Sequence, residues 1–367
     1  MSPGKARLLT GITCVGTLVI LASAVLYLDA ARSIFPSSPT TVADEFFGFL
    51  IFFAVIASLL FAFDFVGGVL VPAAFESESP TIPAWLRSWS RPVAVQTVFY
   101  SVTFFFYLQI GRETGAPWLI AVFAALQVML LAGQEFIWQI MTANRSGKAK
   151  GTSSFVKHSD QRFAGGITGL PGFESILVPD GWKERLPPSY VKMLVARRRT
   201  AVKSGLRLRG VMFAMLWNIS SFTIAILVSG GVVKSVADLV NVFLWFLLLS
   251  FVGLLVLPTF NRRGVFAVDQ QMAATYSSVE LQKAILDLDG LTEQDPSRSV
   301  SAESVFQPIP CPERRSRALA SGDIPAAGAW NVARTALFLS WAFGGPLARA
   351  VHCNVGRPEL WAMLPTD

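Results

Sequence analysis

Six apolar stretches, each 18 to 24 residues long and free of charged side chains, constrain this chain more than any other feature. They are Leu8–Leu28, Phe46–Phe63, Pro92–Gly111, Ala116–Gln134, Gly210–Val233 and Leu239–Phe260. A helix needs about 20 apolar residues to cross a hydrocarbon layer of about 30 Å, so the pattern predicts six transmembrane helices. A water-soluble core cannot absorb this much apolar sequence. Of 367 residues, 53% are hydrophobic and 15% charged, against roughly a quarter charged in ordinary soluble proteins. The stretches form three pairs, two of them joined by turns as short as Arg112–Gly115 and Lys234–Asp238. Short connections of this kind make antiparallel helical hairpins.

Positive charge then sets an expected orientation, because Lys and Arg collect on the cytoplasmic side of a membrane protein. With the N-terminus inside, all of the 31 Lys and Arg residues except Arg32, Arg112 and Lys234 fall on cytoplasmic segments. Both termini are therefore expected in the cytoplasm, and the protein in a bacterial-type inner membrane. Lys5, Arg7 and the small residues Ala22-Ser23-Ala24 also resemble a cleavable signal. The apolar run continues through Leu28, so the first stretch is read as a retained span. The net charge of +7 is accounted for by topology and anionic lipid and calls for no nucleic-acid partner. Three cysteines (Cys14, Cys311, Cys353) cannot build a disulfide framework, and two histidines (His158, His352) limit metal chemistry.

The expected organisation is a four-helix transmembrane region (1–142), a cytoplasmic loop (143–209), a transmembrane hairpin (210–260) and a cytoplasmic helical part (261–367). The two cytoplasmic segments together suffice for one small, mostly helical α+β domain. Asn144–Ser153 reads as a flexible linker and Glu293–Ser304 as a polar loop. Ser175–Pro179 reads as a buried strand ended by Pro-Asp-Gly, and Ser189–Lys203 as a helix introduced by Pro-Pro-Ser. Arg263–Leu288 reads as mostly helical and Glu313–Leu319 as a short helix. Thr335–Ala348 is apolar but too short to span, so it is read as an interfacial or core-packed helix.

The order of these pieces resembles the HtpX-like and CAAX-prenyl-type membrane zinc metallopeptidases. In that family a strand and loop lead to a helix bearing H-E-x-x-H. Spans follow, then a second helix with a zinc-binding Glu and a nearby Asp, then a closing motif with a later Arg and Leu. Here Ser175–Pro179 leads to the helix Tyr190–Ala201. Two spans follow, then Asn261-Arg-Arg-Gly-Val-Phe-Ala-Val-Asp269, then Ile309–Leu319 with its Glu-Arg-Arg-Ser-Arg run. The resemblance covers about 165–319. It implies a polytopic, mainly α fold with a metallopeptidase-like cytoplasmic domain. The family's site does not carry over: Arg197 stands for the first His, Arg198 for the general-base Glu, Ala201 for the second His and Val265 for the zinc-binding Glu. Guanidinium and methyl groups cannot ligate zinc. The expectation is therefore a chain without cofactor, and not an enzyme. It is expected to be a degenerate relative that binds or scaffolds a protein or lipid partner at the cytoplasmic membrane face.

Two further expectations concern charge. Arg197 and Ala201 share one helix face, and Val265 and Asp269 share another. If the faces meet as the resemblance implies, Arg197 and Asp269 form an ion pair in place of the metal. The alternative is that Arg197, Arg198 and Arg199 are topogenic charges bound to anionic lipid. Within the spans, Asp64, Gln134 and Glu135 are the polar candidates, since charge at membrane depth marks function by default. They are read either as interfacial anchors paired with Arg87, Arg91 or the Arg-rich helix, or as a polar path with Gln109 and Gln127. The path is the basis of the alternative function, transport.

Overall fold

The computed structural model describes residues 3–35, 41–75, 79–142, 153–158, 162–292, 299, 303, 307–322 and 328–363. The expected linker Asn144–Ser153 and loop Glu293–Ser304 lie largely outside them. Six helices are long and apolar enough to cross a membrane: α1 (Pro3–Tyr27), α2 (Val42–Phe75), α3 (Ile82–Glu113), α4 (Ala116–Thr142), α6 (Leu206–Val228) and α7 (Val236–Ala273). Each contains one of the six apolar stretches, less a few end residues of the first and fifth, and most extend past it. The chain is a polytopic helical membrane protein. Its bundle packs α2 against α3, α3 against α4 and α6 against α7, while α1 packs chiefly on α7.

Local chemistry fixes the helix starts. Thr41 with Asp44, and Ser235 with Asp238, form reciprocal caps at the starts of α2 and α7, satisfying donors that the first helical turn leaves open. Buried Glu45, just inside α2, receives both terminal nitrogens of Arg112 at 2.5 and 2.9 Å, and Gln109 at 3.3 Å. Arg112 also donates to the Lys234 carbonyl at 2.8 Å. This cluster ties the α3–α4 end of the bundle to the starts of α2 and α7.

At the other end, among the described residues, lie a small sheet, a one-turn helix (Trp182–Arg185) and three longer helices. The strands β1 (Ser153–Val156), β2 (Gly166–Thr168) and β3 (Ser175–Pro179) are ordered β1-β3-β2. β1 is parallel and β2 antiparallel to β3. Helix α5 (Pro188–Lys203) covers the sheet, with a Pro at its first position, where the missing N–H costs nothing. Helix α7 is 38 residues long. At 1.5 Å per residue that is about 57 Å, nearly twice a hydrocarbon layer, so its C-terminal part stands outside the membrane beside α5. Helices α8 (Ser278–Thr292) and α9 (Pro312–Ser321) complete this layer.

The sequence assigns the C-terminal segment to the cytoplasmic part and reads Thr335–Ala348 as interfacial or core-packed; in the structure that stretch is core-packed, within the bundle. Helix α10 (Val332–Leu339) runs inward and tightens to a 3₁₀ turn at Ser340–Phe343. It reverses at Gly344-Gly345-Pro346 and returns through a short helix, Leu347–Ala350. Phe343 ends among Phe104, Phe222 and Phe246, at centroid distances of 4.6, 4.7 and 5.6 Å. Tyr107 donates to the Ala342 carbonyl at 3.0 Å. Thr335–Ala348 is thus a re-entrant core, buried throughout. Irregular backbone at membrane depth survives only inside protein, where partners are supplied. Asn218 supplies one to the Ala336 carbonyl at 2.9 Å, and Gln134 another to that of Ala362 at 2.9 Å.

Glycines set where this hairpin enters. Trp330 donates its N–H to the Leu206 carbonyl at 2.9 Å, and a Cβ on Gly210 would collide with the Trp330 carbonyl. Gly210→Ala is expected to lower stability by about 1–3 kcal/mol, the usual range for overpacking. Thermal unfolding in detergent measures this, and an unchanged transition would show that the entry point yields freely.

Candidate functional site

The faces of α5 and α7 meet outside the membrane-spanning part of the bundle. Arg197 Nε lies 2.7 Å from Asp269 Oδ1. Arg315, from α9, closes the other side: its Nε donates to Asp269 Oδ2 at 2.7 Å and its Nη2 to Oδ1 at 2.9 Å. Both Arg197 and Asp269 are fully buried. The Trp330 ring lies 4.7 Å from the Arg197 guanidinium, a cation–π arrangement. One carboxylate therefore joins three chain segments. Burial alone would raise the Asp269 pKa, but the charges and hydrogen bonds of Arg197 and Arg315 outweigh it and hold the carboxyl below its usual range.

The flanking positions are structural in the same sense. Arg198 is fully buried and donates to the Leu177 carbonyl at 2.8 Å and to that of Ala164, with its guanidinium 4.9 Å from the Trp182 ring. It clamps the sheet to α5. Ala201 and Val265 are fully buried in the same apolar cluster. Of the three arginines read alternatively as lipid-facing, Arg197 and Arg198 point inward, and Arg199 reaches the Ser153 hydroxyl at 3.2 Å.

Arg315 was missed as a member of this centre. The available signal was the Arg of the closing motif, which the sequence placed in Glu313–Leu319 without a partner. Its delivery depends on contacts that no motif shows. Asn261 donates to the Pro308 carbonyl at 2.6 Å. Arg262 donates to the Glu303 and Gln307 carbonyls, each at 3.2 Å. Arg314 reaches Glu303 Oε1 at 2.8 Å. Together these lay Glu303 and 307–321 along α7.

Zinc, which the resemblance implies, does not fit the residues at this centre. The four positions offer two guanidiniums, a methyl and an isopropyl group, and both oxygens of Asp269 are taken by arginines. Among the described residues, no group of three or more His, Cys, Asp or Glu side chains is placed to hold a metal.

The intramembrane candidates are not brought into one cluster. Asp64 is buried and accepts from Arg349 Nη2 at 2.6 Å, Trp89 Nε1 at 2.9 Å and the Gly356 N–H at 3.0 Å. Its cation is Arg349, from the re-entrant hairpin, not Arg87, Arg91 or the Arg-rich helix. Gln134 serves the Ala362 carbonyl, Glu135 receives Gln139 one turn on at 3.3 Å, and Gln109 goes to Glu45. Beside Asp64, α2 widens to a π-helix at Val66–Leu70. Gly67 and Gly68 there leave room for the backbone of Val355 and Gly356.

No family model matches the chain, and no curated protein matches it. Among solved structures, that of S. mikatae Ste24p matches with a TM-score of 0.63 and 13% identity, over 79% of each chain. That protein is a membrane protease. The expectation that this chain is not an enzyme is overturned by that likeness, since its fold is one that an enzyme uses. What the likeness shows is architecture: this chain has the Ste24p-like fold of a polytopic membrane protein.

Proposed function

We propose that the chain is a binding or scaffold protein at the cytoplasmic face of a bacterial-type inner membrane, with both termini on that face. The observation that supports this reading is the Arg197–Asp269–Arg315 centre. It fixes α5, α7 and α9 to one another and, through α7, to the membrane bundle. A platform held in this way presents α8 on its outside, where Val279 and Leu286 are exposed. Exposed apolar side chains one or two turns apart on a helix suit a protein partner.

The test is a photo-crosslinking amino acid placed at Val279 or Leu286 in native membranes. One discrete adduct, identified by mass spectrometry and lost in the Leu286→Glu chain with unchanged expression, is the expected result. A smear of adducts equal in both chains would sink the reading. The fold likeness to Ste24p favours a second reading, peptide hydrolysis. Release of peptide by the purified chain, abolished by a chelator, would select it.

A further inference from the structure

A cavity of about 370 Å³ opens between α1, α7 and α10, away from the arginine centre. Its size falls within the range of about 300–1,000 Å³ typical of ligand sites. The walls are apolar: Ile12 and Val15 on α1, Phe251 and Leu254 on α7, and Leu337 on α10. Leu255 at its edge is exposed, and Ile12, Val15 and Phe251 are half-buried. The cavity therefore reaches the outer surface of the bundle, where the bilayer lies. It runs along α1 from Leu8 to Gly16, about 12 Å at 1.5 Å per residue. One leaflet of a hydrocarbon core is about 15 Å deep. The dimensions are those of a slot for a single lipid chain.

Two side chains able to carry positive charge contribute to the wall. Arg334 and His352 line the wall, together with Leu8 and the Pro308 loop. Arg7 directly precedes Leu8, and Lys5 lies just before it. No carboxylate is among the described lining residues. The deep end, around Val15, Gly16 and Phe251, carries no charge. Gly16 contributes to the shape, because a Cβ built there meets nothing within 4 Å.

We propose that this cavity binds one acyl chain of an anionic glycerophospholipid, with the phosphate among Lys5, Arg7 and Arg334. The inference goes beyond the protein-partner reading and does not need it, since no residue of α8 takes part. The full chain is reconstituted in vesicles holding equal fractions of phosphatidylglycerol and phosphatidylcholine, extracted in neutral detergent, and its retained lipid counted by native mass spectrometry. One phosphatidylglycerol per chain is expected, at least tenfold over phosphatidylcholine. Gly16→Trp fills the slot and Leu255→Trp blocks its edge; each should cut retention at least fivefold with an unchanged thermal transition. The double variant Lys5→Gln/Arg7→Gln should let both lipids bind alike. Equal retention of the two lipids by the parent chain, or none of either, overturns the proposal. So does either tryptophan variant that folds and keeps its phosphatidylglycerol, because the lipid is then only annular.

Discussion

Asp269→Asn should cost this protein about 3–5 kcal/mol, the penalty for leaving a buried charge without its counter-ion. The variant keeps the shape but turns one accepting oxygen into a donating NH2 and removes the negative charge between two buried guanidiniums, Arg197 and Arg315. A typical domain has only about 5–15 kcal/mol of net stability, so the loss is large. Thermal unfolding and size-exclusion profiles in detergent measure it, and a transition within about 1 °C of the parent would refute the assignment. A second arm separates charge from shape. Replacing all three groups at once, Arg197→Met/Asp269→Leu/Arg315→Met, removes the stranded charges and should recover most of the loss, because buried ion clusters are often exchangeable for packed apolar residues. Acid offers a third arm. The folded Asp269 pKa lies below its unfolded value. Its stabilising contribution is therefore complete above the unfolded pKa, near about 4, and disappears as pH falls through the folded value.

The sequence made this centre partly legible. The spacing of Arg197 to Ala201 and of Val265 to Asp269 places each pair on one helix face, and the order of motifs suggested that the faces meet. The third member was not legible, because Arg315 arrives through contacts of the Glu303, Gln307 and Pro308 carbonyls with the Asn261 and Arg262 side chains, which leave no periodic trace. Span positions were readable for an elementary reason: backbone in hydrocarbon must be helical, so apolar length alone identifies it. That logic fails for the re-entrant hairpin. Fourteen apolar residues with Gly344-Gly345-Pro346 read as an interfacial or a core-packed helix without a choice between the two; the structure takes the second, at membrane depth, because neighbouring helices supply the missing hydrogen bonds. Asn218, Tyr107 and Gln134 are those suppliers. Gln134 was readable as polar within a span, but its partner, the Ala362 carbonyl, lies 228 positions away.

Asp64→Ala should free the re-entrant hairpin. Asp64 holds three donors, and two of them, Arg349 and the Gly356 N–H, belong to the returning limb. Removing the carboxylate leaves Arg349 buried between Trp361, at 4.2 Å from its guanidinium, and Trp89. The cost of an uncompensated buried cation is again about 3–5 kcal/mol, but here it falls on one limb whose remaining ties are mainly to backbone carbonyls. The consequence is local opening before global unfolding. Cys353 lies between Arg349 and Gly356 and is buried, so its thiol reports on that opening. In the parent chain Cys353 should resist a maleimide reagent. In Asp64→Ala it should label at least tenfold faster, while Cys311, held by Glu303 through its N–H at 3.2 Å, stays slow. Equal acceleration at both cysteines would mean global unfolding, and no acceleration at Cys353 would mean that the limb is held without Asp64. Asp64→Leu/Arg349→Met removes both charges together and should restore protection. That recovery would locate the effect in the stranded guanidinium and not in a lost packing contact, because leucine restores bulk at position 64 without restoring charge.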